Sequence, residues 1–159
     1  MKVAILFLVA FISLILESTV FNEFTLLKIK PDLLLIYVSL FALQKGSKKG
    51  ASFGFGIGLL EDLFMAKFIG MNALVKAIVG FGIGFLEKRI YKENFLVPII
   101  MVMVGTIIAG FGFYILSLIL GIPISINHFK VIVLPMLLYN ILLTPIIKFV
   151  FFKTNIRRY

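Results

Sequence analysis

All of this chain's net charge can be placed on one side of a membrane. Six apolar stretches, at 3–21, 31–44, 51–66, 70–86, 95–120 and 131–152, are joined by short connectors. Assigning the connectors alternately to two faces splits the sixteen Lys and Arg residues eleven to five. One face holds Lys2, Lys45, Lys48, Lys49, Lys88, Arg89, Lys92, Lys148, Lys153, Arg157 and Arg158 with Glu87 and Glu93, a net charge of +9. The other holds Lys28, Lys30, Lys67, Lys76 and Lys130 against Glu17, Glu23, Asp32, Glu61 and Asp62, and nets zero. Basic flanks resist translocation and stay cytoplasmic. The pattern predicts an all-α, polytopic membrane protein of six transmembrane helices, with N and C termini in the cytoplasm.

Such a layout uses nearly all of the 159 residues, since a spanning helix takes about 20. It predicts one transmembrane domain, 1–159, and no soluble domain on either face. The mean hydropathy of +1.16 agrees. A pI near 9.9 would suggest nucleic acid in a soluble protein. Here the charge reads as a topology signal facing anionic lipid, with no nucleic acid implied. The chain has no cysteine, which excludes disulfides, thiolate chemistry and cysteine metal sites. The start, MKVAILFLVAFISLIL, is like a signal peptide. No small-residue cleavage site follows it, so it reads as a retained first span.

The second stretch is short. From Asp32 to Leu43 a helix would rise about 18 Å against a hydrocarbon core of about 30 Å. Pro31 suits a first helical position and Asp32 the positive end of the helix dipole. Residues 22–30 read as a non-helical outer segment covered by protein. Stretch three repeats glycine every fourth residue, at Gly50, Gly54 and Gly58. Stretch four has Ala73, Ala77, Gly80 and Gly84, and stretch five Gly105 and Ala109. Small residues four apart let helix backbones approach closely in lipid. They pack either against each other or against a partner helix. GFGIGLLE at 54–61 returns as GFGIGFLE at 80–87, which reads as shared packing grammar rather than duplication. Stretch six carries Pro135 and Pro145, where Asn140 could satisfy a freed carbonyl or bond to another helix. Residues 121–130 read as an outer loop.

Catalysis finds no support. His128, the single histidine, lies in that loop without a nucleophile or acid pair nearby. No cofactor or metal is implied, and the glycines precede no strand-based phosphate loop. The charges inside spans are costly to bury and so carry meaning. Glu61 and Asp62 end stretch three, where acids oppose the helix dipole. With the turn centred near Ile69, Lys76 falls at the depth of Asp62 and is a candidate partner; the alternative is that both reach separately to the outer interface. An ion or proton path would rest on Glu61 and Asp62 alone.

Pro31-Asp32-Leu33-Leu34, a short basic loop, Gly54-Phe55-x-x-Gly58-Leu59-x-x-Asp62 and Gly70-x-x-Ala73-Leu74 together resemble the bacterial rod shape-determining MreD family. The resemblance implies a non-enzymatic, multi-pass subunit of the cytoplasmic (inner) membrane in the elongation machinery. It implies binding to the single-span protein MreC and influence on the peptidoglycan synthase of RodA and a class B penicillin-binding protein, linked to MreB filaments. Pro31, Asp32, Gly54, Gly58, Glu61, Asp62, Gly70 and Lys76 are the expected partner-binding or packing residues. The family is also similar in fold to the substrate-binding components of energy-coupling-factor vitamin transporters, which supplies the alternative function. Those components show an Ala-x-x-x-Ala motif in the first span, whereas this chain has Ala4 and Ala10 there and Ala73-x-x-x-Ala77 in stretch four. Polar candidates for a pocket are few: Asn22, Asn72, Asn127, Tyr139 and Asn140. Both departures favour the scaffold reading.

Overall fold

A computed structural model describes residues 11–15, 30–65, 69–87, 95–122 and 126–155. All regular structure among them is helical. Helix α1 contributes residues 11–15. It is followed by α2 (Leu33–Lys45), α3 (Ser47–Met65), α4 (Met71–Leu86), α5 (Leu96–Ile119) and α6 (Ile126–Asn155). The irregular segment expected at 22–30 lies outside the described residues, save Lys30.

The short helix α2 is the axle of the fold. Its side chains are apolar around the whole circumference, as a fully surrounded helix requires, and Leu33 to Leu40 are all buried. One side packs Leu34 and Val38 against Leu14 of α1 and Phe53 and Ile57 of α3. Another packs Leu35, Ala42 and Leu43 against Val75, Val79 and Ile83 of α4 and Met101 and Ala109 of α5. A third packs Leu33, Ile36, Tyr37 and Leu40 against Val102 of α5 and Ile147 of α6. Thirteen residues rise about 20 Å, too little to cross a bilayer in contact with lipid. Neighbours cover this helix, so its length need not match the hydrocarbon.

Among the described residues, two helices are long and apolar enough to cross a membrane by themselves: α5, Leu96–Ile119, and the Val131–Phe149 part of α6. Helices α2 and α4 are apolar but shorter. The exposed faces are apolar too. On α4, Leu74, Ile78, Phe81 and Phe85 form one outward stripe, and Val131, Leu134, Leu138, Leu142 and Ile146 form another on α6. Meanwhile Asp32, Glu61, Asp62, Lys76, Thr106, Asn140 and Thr144 are buried. Polar groups inside and large apolar groups outside invert the pattern of a water-soluble domain and suit a hydrocarbon surround.

Gly50, Gly54, Gly58, Gly80 and Gly84 bring α3 and α4 together in one antiparallel hairpin. A Cβ on Gly50 would strike the carbonyl of Gly80, and one on Gly80 the carbonyl of Gly50. Gly54 backs onto the Lys76 carbonyl, Gly58 onto Asn72 and Ala73, and Gly84 onto Ser47. Of the two uses that the glycine spacing allowed, the structure shows packing within the chain. The two GFGIG segments do not face each other: 54–58 packs against 72–77, and 80–84 packs against 46–51. Gly105 of α5 similarly seats Ile83, Ser39 and Val79.

This register corrects the expected hairpin. Gly54 lies opposite Lys76 and Gly58 opposite Asn72, so the axis of pairing falls near Met65 rather than Ile69. Helix α3 therefore overhangs the start of α4, and Asp62 stands beyond the level of Lys76. The loop expected at 121–130 is also shorter, because α6 already begins at Ile126. Its start carries His128, which the sequence reading had placed in that loop.

Candidate functional site

The charged residues of the core gather where α2 begins, α3 ends and α4 begins. Lysines 45, 48 and 49 lie at the opposite end of α2 and α3, so the bundle has an acidic and a basic end. At the basic end Lys148 of α6 sits 4.8 Å over the ring of Phe95, just before α5.

Helix α2 starts later than the sequence suggests. Its first helical residue is Leu33, so Pro31 precedes the cap and Asp32 is the N-cap. The Leu35 amide donates to Asp32 Oδ1 at 2.7 Å, which satisfies one of the free donors of the first turn. The second carboxylate oxygen, Oδ2, accepts a hydrogen bond from Lys76 Nζ at 2.9 Å.

Lys76 is completely buried and touches two carboxylates, Asp32 and Glu61. Helix geometry explains the meeting. Side chains lean toward the N-terminus of their own helix. Lys76 therefore leans back toward Asn72, and Glu61 back toward Gly58. Gly58 and Asn72 face each other across the hairpin, so both charges lean into one layer, beneath the start of α2. A buried ammonium without a partner would be severely unfavourable; here a carboxylate approaches from each of two other elements.

Asp62 does something else. The amides of Gly70, Asn72 and Ala73 donate to its carboxylate at 2.9, 3.1 and 3.0 Å, and the Asn72 side-chain amide adds a fourth bond at 2.9 Å. Gly70, at φ 100, is the N-cap of α4 and has no side chain to cap with. Asp62 supplies the missing cap from the neighbouring helix. The overhang of α3 puts it there, and the positive end of the α4 dipole meets its charge. The compensation that Asp62 needs is thus the start of α4. The expected Asp62–Lys76 pair does not form, and Glu61 and Asp32 take the lysine instead.

The network continues to the far helices. The Asp32 amide donates to Asn140 Oδ1 of α6 at 3.0 Å. Asn140 Nδ2 donates to Thr106 Oγ1 of α5 at 3.0 Å, and Thr106 donates to the Val102 carbonyl at 2.8 Å. Thr144 donates to the Asn140 carbonyl. Asn140, which lies between the two prolines of α6, thus bonds across to α2 and α5. A chain of polar contacts links α2, α3, α4, α5 and α6 through Asp32. Thr106 escaped the sequence reading; its one signal is a hydroxyl within a long apolar stretch.

Sequence comparison gives this architecture its family. Residues 1–155 match the family model described as rod shape-determining protein MreD. The chain belongs to the MreD family. No curated protein and no solved structure matches it, so the expected likeness to vitamin-transporter components has no support from that side. Family membership gives the protein a part in rod-shape determination, at the membrane. The Pro31-Asp32 and Gly54…Asp62…Gly70 residues that carry the resemblance are those that form the α2 cap, the hairpin contact and the α4 cap. Among the described residues no group of His, Asp and Glu is arranged to hold a metal ion.

Proposed function

We propose that this MreD-family chain is a non-enzymatic subunit of the elongation machinery in the bacterial cytoplasmic (inner) membrane. It binds a single-span, MreC-like protein and, with it, helps regulate the synthase formed by RodA and a class B penicillin-binding protein. The chain crosses the membrane six times as one domain, with both termini and the basic end in the cytoplasm and the acidic end outside. The observation that carries this reading is the family match over residues 1–155. The charge distribution supports the orientation.

The packing refines where a partner helix docks. Gly54 and Gly58 are covered by α4 and leave no room for a second helix. Docking therefore uses outward apolar faces, of which the stripes of α4 and α6 are two. Glu61, Asp62, Asp32 and Lys76 shape the outer rim from within and reach the partner only through the conformation they hold.

The test is recovery of the tagged full chain from native membranes in mild detergent. A co-purifying single-span protein with a periplasmic stem is expected. Recovery with a pair of ATPases and a coupling subunit, together with stoichiometric binding of a vitamin, would establish the transporter alternative instead.

A further inference from the structure

The buried cluster at the acidic end is unbalanced. Asp32 and Glu61 bring two carboxylates to the single ammonium of Lys76, with side-chain exposures of 8, 6 and 0 %. Among the described residues, the charged groups facing Glu61 are Lys76 from α4, Asp32 from the start of α2 and Asp62 beside it on α3. Asp62 adds negative charge rather than offsetting it, and its oxygens are already occupied by the start of α4.

Lys76 pairs with both carboxylates, at Asp32 Oδ2 and Glu61 Oε2. Asp32 has the Leu35 amide at Oδ1 as well, whereas Glu61, only 4% exposed, has the shared ammonium alone. A surplus charge this far from water is strongly unfavourable. A further positive charge, of one unit, restores neutrality.

The geometry points to Glu61 as the binding site of one small monovalent cation, a proton or an alkali ion, that neutralises the Asp32–Glu61–Lys76 cluster. A multivalent metal has no suitable ligand group among the described residues. Glu61 lies four residues from the end of α3. The site joins α2, α3 and α4, and its occupancy sets how tightly their ends hold together. This inference stands whichever partner the chain binds.

The experiment uses the purified full chain as wild type, Glu61→Gln and Asp32→Asn. Glu61→Gln removes the acceptor. Asp32→Asn removes the surplus charge and leaves Glu61 matched one to one with Lys76. A proton is read as the infrared carbonyl absorption of a protonated carboxyl at neutral pH, in buffer free of alkali ions. An alkali ion is read as a melting midpoint that climbs with sodium or potassium, but not with choline at equal ionic strength. One of these two signatures is expected in the wild type, and its loss in both variants. Which signature appears identifies the occupant. A wild type with neither, or a signature that persists undiminished in Glu61→Gln, overturns the proposal. Should Asp32→Asn fail to fold, the wild type and Glu61→Gln still decide.

Discussion

At the residue scale, Lys76 is the position on which most depends. Replacing it with Met leaves two buried carboxylates without their cation, and a loss of about 3–5 kcal/mol is expected. Thermal unfolding in detergent measures it, and adding Glu61→Gln to the Met variant is expected to recover part of the loss. Asp62→Ala strips the cap from α4 and leaves its first amides unpaired, at an expected cost of about 1–3 kcal/mol. A double-mutant cycle separates the two acids: coupling with Lys76 is expected for Glu61, and coupling near zero for Asp62. The sequence made Glu61, Asp62, Asp32 and Lys76 visible, because ionisable residues inside apolar stretches are conspicuous. It did not show who pairs with whom. That depended on the hairpin register and on the side of α3 each acid occupies: Glu61 leans to Lys76, while Asp62 reaches the first amides of α4.

At the scale of elements, the glycine spacing on α3 and α4 was legible as a close contact. The identity of the contacting helix was not. Period-four small residues suit any neighbour, and only the collisions that a Cβ would suffer at Gly50, Gly54, Gly58 and Gly80 name it. Gly54→Leu or Gly80→Leu is expected to push the hairpin apart at a cost of about 1–3 kcal/mol or more. Lowered thermal stability would show it, accompanied by poor recovery of folded chain. Substitution at the exposed Phe81 on the same helix is expected to leave stability nearly unchanged. Helix α2 was readable as too short for a span, yet its central place was not. A helix that is apolar on every side announces burial, and the identity of its neighbours comes only from the assembled bundle. The cap of α4 was hidden for a similar reason. Gly70 offers no capping side chain, and its substitute, Asp62, belongs to another helix.

At the scale of the whole molecule, the inverted distribution of polar and apolar residues unites the account. Charged and amide groups close on one another inside, while the apolar stripes of α4 and α6 face outward and remain open to lipid or a partner helix. Orientation is testable in this cysteine-free chain. Ser47 packs against Gly84, so the exposed Lys49 is the better cytoplasmic label site. An impermeant thiol reagent applied outside spheroplasts is expected to modify Asn127→Cys and spare Lys49→Cys. Site-specific photo-crosslinking in living cells tests the scaffold role most directly. A photoreactive residue is placed outward at Phe81 or Leu138, and inward at Val79 for comparison. Crosslinks to a single-span membrane protein from an outward position, and none from Val79, are the expected result. Absence of any protein crosslink from both outward stripes, in a chain that inserts normally, would contradict the claim that this protein acts by docking a partner helix.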